Sequence, residues 1–562
     1  MKKYKFFLIK PSLYDDEGFV IRFSKGVLPS NTLTVLNGLL DYYLKKLKEE
    51  LNSEYEIEIN DEIVDKINIK KFRKKIKNNE QGIIFLVGVQ SNQFSRATDL
   101  AVEFRKNGFL VFVGGFHVSG ILSVFGKPDE SLQKLIDNNI YLVAGEVEDS
   151  LEIILKDILN NSIKSIYNFL SLKPDLNHPI MPKIPQNYLK KFALPNFSTL
   201  DCGRGCPYRC SFCTIIQVHG NMMRYRNVDL IKNYIIENYK ANKVDYYFFT
   251  DDNFARNKNW KEILLALIEI KKHYSIKLRF MIQVDTLAYK IPEFVHLLKE
   301  AGCTQVFVGM ESLNPENLKA AGKRQNKVEN FYEMVQTWNK AGIIVHTGYI
   351  LGFPFDTSQS LLKDIQMLSD ELRVQQASFF ILTPLPGSMD HKTMLEKGLI
   401  FDFDFNHYDS FHLVWKHPHF DPNTMKECYL FAWEYFYSFR NLIKRIYHSA
   451  QYSIQMTSNL LGTYLWYKYS IVVNKHHPMI SGFHRKKSYF ERRSSIKVFL
   501  KELLWFYTKR VLEIFLEIIY TSKIVLEWLI LWFIYISLKT KISFKNLFAY
   551  NKNQLVIEYQ KT

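Results

Sequence analysis

Cysteine is scarce, six in 562 residues, which is too few for a disulfide framework. Long apolar runs are missing as well. In the most apolar stretch, Arg510 to Leu538, the longest charge-free segment is Trp528 to Leu538, eleven residues, where a membrane-spanning helix needs about twenty. No early leader is expected either: Met1-Lys2-Lys3 runs into Tyr4–Ile9 and then Lys10-Pro11, a short apolar core with no small-residue cleavage site. Acidic residues thin out toward the C terminus. From Phe431 to Thr562 there is no Asp, and 7 Glu stand against 20 Lys and Arg, a net +13; the whole chain carries +17, which leaves +4 for the first 430 residues. Basicity therefore belongs to the last quarter, and a general nucleic-acid-binding surface over the whole protein is not indicated. A composition of 47% hydrophobic and 23% charged residues rules out a disordered or collagen-like chain, and the length suits two to four domains.

The first 160 residues alternate between short apolar runs and helical spacing. Tyr4–Ile9, Glu54–Ile59, Gly82–Val89, Phe109–Val113 and Ile140–Ala144 read as strands, and Thr32–Leu51, Phe94–Asn107 and Asp149–Leu159 as helices. This alternation predicts a doubly wound, Rossmann-like parallel sheet, with ligands at the carboxyl ends of its strands. A proline-rich linker follows, 161–195. A second alternation begins at Phe197, with candidate strands Phe197–Leu200, Asp245–Thr250, Leu278–Gln283, Gln305–Val308, Val345–Leu351 and Ala377–Leu382. Six βα units over 196–417 suit a partial (β/α)6 barrel of the TIM type. Residues 418–562 switch to long, basic, aromatic-rich helical patterns. The fold class is thus α/β with a helical C-terminal region.

Four of the six cysteines fall between Cys202 and Cys213. Cys206, Cys210 and Cys213 have CxxxCxxC spacing directly after the first barrel strand. Three thiolates on one loop can hold a four-iron cluster and leave one iron open for substrate. A zinc ribbon or plain buried thiols are the bland alternatives, but a ribbon needs a second CxxC pair, and Cys303 and Cys428 are isolated. The loop resembles that of the radical SAM superfamily, including the aromatic Phe212 before the third cysteine. The resemblance implies a [4Fe-4S] cluster on Cys206, Cys210 and Cys213 whose open iron binds S-adenosylmethionine, with reductive cleavage to a 5′-deoxyadenosyl radical. It places Asp251, Asp252 and Asn253, in Thr250-Asp251-Asp252-Asn253, near the S-adenosylmethionine amino group. It places Glu311 and Ser312 near the ribose and Gly348 and Gly352, in a GxIxG run, near the adenine. Cys202 reads as structural, since a fourth ligand would close the open iron. Arg204 and Arg209 either tune the cluster or are simply solvated, and Cys303 reads as a core thiol.

A doubly wound domain ahead of such a barrel resembles the cobalamin-binding class of the superfamily. Gly114, Gly115 and His117 match its glycine pair and following histidine, and adjacent glycines let backbone approach a flat, wide ligand. Gly145-Glu146-Val147-Glu148 resembles the next strand-end turn. The DxHxxG motif that supplies cobalt with a histidine is absent: its place reads Ser12 to Gly18. The alternative is a degenerate domain that only packs on the barrel or binds substrate.

In the C-terminal region, Arg510, Glu513, Glu517, Lys523 and Glu527 fall within a helical arc of roughly 140°. The helix either packs on the protein or a partner subunit, or lies on anionic lipid as a peripheral membrane contact. His407, His412, His417, His419, His476 and His477 lack metal-site spacing and read as surface or core residues. The expectation is a cytoplasmic or membrane-associated radical SAM enzyme, a cobalamin-dependent methylase of an unactivated carbon in a small-molecule or lipid-like substrate. It would draw single electrons from a reductant such as ferredoxin or flavodoxin and would not bind nucleic acid. Cyclisation, carbon–carbon coupling or methylthiolation without methyl transfer, and a non-enzymatic iron–sulfur scaffold, are the alternatives.

Overall fold

Short β-rich runs closed off by glycine and polar turns form two all-parallel six-stranded sheets. The computed structural model describes residues 2–51, 53–177, 179–493 and 501–559; the parts of the expected N-terminal domain, linker and C-terminal region at 1, 52, 178, 494–500 and 560–562 lie outside the described residues. The first sheet comprises β1 (Lys2–Lys10), β2 (Ser53–Asp61), β3 (Glu80–Leu86), β4 (Leu110–Gly114), β5 (Tyr141–Ala144) and β6 (Ile166–Asn168), in the order β2-β1-β3-β4-β5-β6. The order reverses between β1 and β3, the topological switch point of a doubly wound sheet. β6 lies where the sequence shows only a proline-rich linker; three residues are too few to show a period.

The sheet is covered by helices whose apolar faces meet it. α1 (Asn31–Leu51) buries Leu33, Leu39, Leu40 and Leu47. α2 (Ser91–Lys106), α3 (Phe116–Phe125) and α4 (Leu151–Leu159) follow the carboxyl ends of β3, β4 and β5.

The second sheet comprises β7 (Phe197–Leu200), β8 (Tyr246–Phe249), β9 (Arg279–Val284), β10 (Cys303–Glu311), β11 (Ile344–Leu351) and β12 (Gln376–Ile381), paired in sequence order. β7 and β12 do not pair, so the barrel is partial, as the six βα units predict. All eight residues of β11 are buried, which identifies it as a central strand covered on both faces.

Beyond the barrel, α5 (Pro422–Phe436), α6 (Phe439–Ala450) and α7 (Ile454–Tyr469) pack on β12 and on one another, with Trp433, Phe436 and Tyr464 almost fully buried. A ribbon then joins the chain ends: Gly482–Arg485 pairs antiparallel with Phe23–Gly26. The last element, α8 (Lys501–Tyr559), is one continuous helix. Among the described residues no helix is long and apolar enough to cross a membrane.

Candidate active site

The carboxyl ends of both sheets open on one cavity of about 380 Å³. From the first sheet it is lined by Leu8, Phe85, Phe112 and Val143, by the turns Gly88, Gly114-Gly115 and Gly145–Glu148, and by Val35, Leu36, Leu39 and Leu40 of α1. From the barrel come Asp201, Arg204, Ile215, Val218, His219, Thr250 and Asp252. Its deep end is apolar, and its barrel end is charged.

The glycines at the mouth are required by close approach. A Cβ on Gly115, whose φ is +146°, would lie 2.2 Å from the Val89 nitrogen, and one on Gly114 would meet the Val143 carbonyl oxygen at 3.1 Å. Bare backbone on one side and an apolar recess on the other fit a wide, flat ligand with an apolar tail. None of residues 11–18 lines the cavity; that loop is tied elsewhere, Asp15 to Arg485 at 2.5 Å and Tyr14 to Asp99 at 2.7 Å. His117 does not line it either. Its ring is fully buried, stacks on Phe94 with centroids 3.9 Å apart, and is held neutral by burial, which pulls its pKa down to about 3. The sequence reading grouped His117 with Gly114 and Gly115; the structure separates them because α3 starts at Phe116 and turns the histidine toward α2.

The cysteine loop hangs from the end of β7. Ser211 donates its N–H to the Ala321 carbonyl, and a Cβ on Gly322 would meet the Arg209 carbonyl at 3.0 Å, so the loop rests on the turn that closes the short helix Pro315–Ala320 after β10. Burial raises the pKa of all three thiols, Cys213 to about 12. The thiols of Cys206 and Cys213 each sense Cys210, and all three sense the Lys323 ammonium. Among the described residues no three His, Cys, Asp or Glu side chains are grouped to hold a single metal ion. A four-iron cluster asks for something different: each thiolate takes its own iron, so the donors need a shared focus rather than one common contact point. The thiol set around Lys323 fits that requirement.

Cys202 lies apart. It is fully buried, and the charges it senses are Asp251, Asp201 and Arg226, not the other cysteines. Cys303 is buried in β10, with its Sγ 3.4 Å from the Gln305 carbonyl.

At the end of β8 the three polar residues separate. Asp251 is fully buried and accepts the Cys202 N–H at 2.7 Å, and burial pushes its carboxyl up to about 8. Asp252 accepts from the Gly205 N–H at 2.7 Å and from His219 Nδ1 at 2.9 Å. Asn253 donates Nδ2 to Asp285 at 3.0 Å, and its Oδ1 is buried without a hydrogen-bond partner. On β10, Glu311 has φ +67°, next to a register shift against β11. That kink aims its carboxylate at Lys323, 2.5 Å away. Ser312 is fully buried, and its hydroxyl accepts the Asn314 N–H. On β11, a Cβ at Gly348 would strike the Phe307 ring at 2.7 Å, and Gly352 starts a turn at φ +87° whose N–H donates to Asp356.

Sequence reasoning missed Lys323, which sits in a polar turn with no pattern of its own. Only the fold brings it to the site, where its Nζ lies 3.0 Å from the position a Cβ on Gly309 would take. Sequence reasoning also missed the ionic bridge between the sheets. Arg204 is neither solvated nor among the thiols. Its guanidinium meets Asp201 at 3.0 Å, Glu146 at 2.7 Å and Glu148 at 2.6 Å, while Arg224 meets Glu146 at 2.6 Å and Arg226 meets Asp201 at 2.9 Å. Arg209 is exposed.

Residues 200–368 match the model of the radical SAM superfamily. These residues form a radical SAM domain, and the chain is an enzyme. Its relatives include the bacteriochlorophyllide d C-8(2)-methyltransferase of Chlorobaculum tepidum, 25% identical over 407 residues that cover 69% of this chain and 85% of the relative. An uncharacterized methyltransferase of Pyrococcus horikoshii is 24% identical, covering 70% and 87%. Two solved structures share the fold. The radical S-adenosylmethionine methyltransferase TsrM from Kitasatospora setae, with cobalamin and a [4Fe-4S] cluster bound, aligns at TM-score 0.54 and 16% identity over 71% of this chain and 78% of that one. The cobalamin-dependent enzyme OxsB, with aqua-cobalamin and S-adenosylmethionine bound, aligns at TM-score 0.53 and 15% identity over 85% and 74%.

Proposed function

We propose that the protein is a cobalamin-dependent radical SAM methyltransferase that methylates an unactivated carbon of a small molecule. The observation that carries this reading is one cavity shared by the carboxyl ends of both sheets, whose lining includes Arg204 and Ile215 on either side of the cysteine loop. When bound, the cluster with S-adenosylmethionine would supply a 5′-deoxyadenosyl radical, and cobalamin a transferable methyl group.

The chain's own residues then have separable tasks. Cys206, Cys210 and Cys213 hold the cluster. Lys323, braced by Glu311, offers an ammonium to the S-adenosylmethionine carboxylate. The Asn253 Oδ1, which has no protein partner, and Asp252 accept from the S-adenosylmethionine ammonium. Ser312, Gly348 and Gly352 border the nucleoside. Gly114 and Gly115 leave the corrin room to lie against backbone, and the α1 leucines line a recess for its tail. His219 Nδ1 lies 2.9 Å from the Asp252 carboxylate, which orients a cavity-lining imidazole. No side chain here could deprotonate an unactivated C–H bond, which is why a radical is needed. The single electrons would come from a small reductant such as ferredoxin or flavodoxin.

Anaerobic reconstitution followed by gel filtration tests the reading. About four irons per chain, retained corrin absorbance and 5′-deoxyadenosine formed under reductant are expected. Deoxyadenosine without corrin would leave a radical SAM enzyme that does not transfer methyl groups, and iron without deoxyadenosine would leave a scaffold.

A further inference from the structure

The long helix α8 is mounted with its charges toward the protein. Arg510 donates to the Arg485 carbonyl at 2.8 Å and pairs with Glu517 at 2.9 Å; Glu513 meets Lys487 at 3.4 Å, and Glu527 pairs with Lys468 of α7. Phe506, Ile524, Leu531 and Tyr535 are the buried hydrophobics on that side. The opposite face is apolar and open. Leu504, Val511, Phe515, Ile518, Leu526 and Phe533 are 59–78% exposed. At 1.5 Å per residue they form a stripe about 44 Å long. Between Leu504 and Phe533 the only charged residue classed as exposed is Lys523.

A helix of a water-soluble surface has the reverse arrangement, and an apolar patch of this length marks an interaction site. Charge decides between the occupants. The quarter of the chain that holds α8 carries +13 with no Asp, and residues 539–562 account for +4 of it, with five Lys against one Glu. A second copy would bring two such regions into contact, which like-charge repulsion opposes. An anionic bilayer surface complements them, at about 1 kcal/mol for each Lys or Arg near the headgroups. Trp505 and Trp532, 65% and 37% exposed near the two ends of the stripe, suit the headgroup boundary, where indole rings concentrate.

We propose that α8 seats this protein on anionic lipid, with its apolar stripe sunk to the acyl boundary and the protein body held above it by the inward charges. This stands independently of the reaction assigned to the cavity.

Co-sedimentation of the full chain with vesicles tests it. Vesicles of phosphatidylcholine mixed with phosphatidylglycerol should bind at least about tenfold more protein than phosphatidylcholine alone, and high salt should weaken the binding. The F515E/L526E double variant should lose binding while its thermal unfolding stays at the wild-type temperature. Independently of any variant, lipids brominated along their acyl chains should quench the tryptophan fluorescence of the wild-type protein. Equal binding to both vesicle types, no binding, or no quenching would overturn the proposal. So would a dimer in sedimentation equilibrium that F515E/L526E converts to monomer, since the stripe would then be a self-association face.

Discussion

Lys323 Nζ lies 2.5 Å from Glu311 Oε1, and the same ammonium is sensed by the thiols of Cys206, Cys210 and Cys213. Burial opposes its charge, yet Glu311 and the thiols raise its pKa above that of a free lysine. Such a held cation suits recognition of a carboxylate. K323M should keep its iron after reconstitution but bind S-adenosylmethionine at least about tenfold more weakly, the loss of one charge-assisted hydrogen bond. Equilibrium dialysis beside an iron assay separates the two effects; loss of iron as well would assign Lys323 to holding the loop instead.

The cysteines divide by neighbourhood. C206A, C210A and C213A should each reduce bound iron and abolish 5′-deoxyadenosine formation. C202A should retain iron, because its surroundings are Asp251, Asp201 and Arg226. Iron content and the visible charge-transfer absorbance check this, and iron loss in C202A would make it a ligand.

The strands were legible because each is a short β-rich run closed by glycine or polar residues; Phe197–Leu200 matches its expected bounds. β10 is longer than the expected Gln305–Val308 because Thr304 and Gly309 interrupt the apolar pattern at either end. The ribbon between Phe23–Gly26 and Gly482–Arg485 was invisible, since nothing local announces a pairing across so much chain. Periodicity also found the charged stripe of α8 but could not say which way it faces. Packing decided that, through partners such as Lys468 and Lys487 that belong to other elements. Within the site, spacing exposed the cysteines, whereas Lys323 and Arg204 depend on what the fold places opposite them.

Arg204 is a buried cation shared by three buried carboxylates, Asp201, Glu146 and Glu148, from both sheets. R204M would leave that negative charge short of its central partner. It should destabilise the protein by about 3–5 kcal/mol and loosen the first sheet from the barrel. Urea unfolding followed by circular dichroism reads the cost, and limited proteolysis in the 161–195 segment reads the loosening. A change below about 1 kcal/mol would show that Arg224 and Arg226 compensate.

The apolar recess gives a steric test of the corrin assignment. Leu36 is a partly exposed cavity residue on α1, so L36W should fill space without emptying the core. It should lower corrin retained through gel filtration at least about tenfold, a little over 1.4 kcal/mol, and leave iron content unchanged. Full corrin retention would move the ligand out of this recess.

His412 joins the loop after β1 to the segment after β12. Its Nδ1 lies 3.1 Å from Asp409, and its Nε2 lies 3.6 Å from Asp16. Burial pulls its pKa down, but Asp16 and Asp409 outweigh burial and lift it to about 10, while His412 in turn holds Asp16 down to about 2. The unfolded imidazole titrates near 6.5. A group whose folded pKa is raised contributes its full stability below the unfolded value and loses it as pH climbs through the folded value. Asp16, being lowered, contributes only above the ordinary carboxylate range, near 3.9. The clasp is therefore at full strength between about pH 4 and 6.5, and it fades toward pH 10. The unfolding free energy of the wild type minus that of H412N, measured in urea across this range, should be constant over the acidic part and shrink steadily above it. A difference that instead grew with pH would mean that His412 is neutral in the folded protein and serves only as a hydrogen-bond partner.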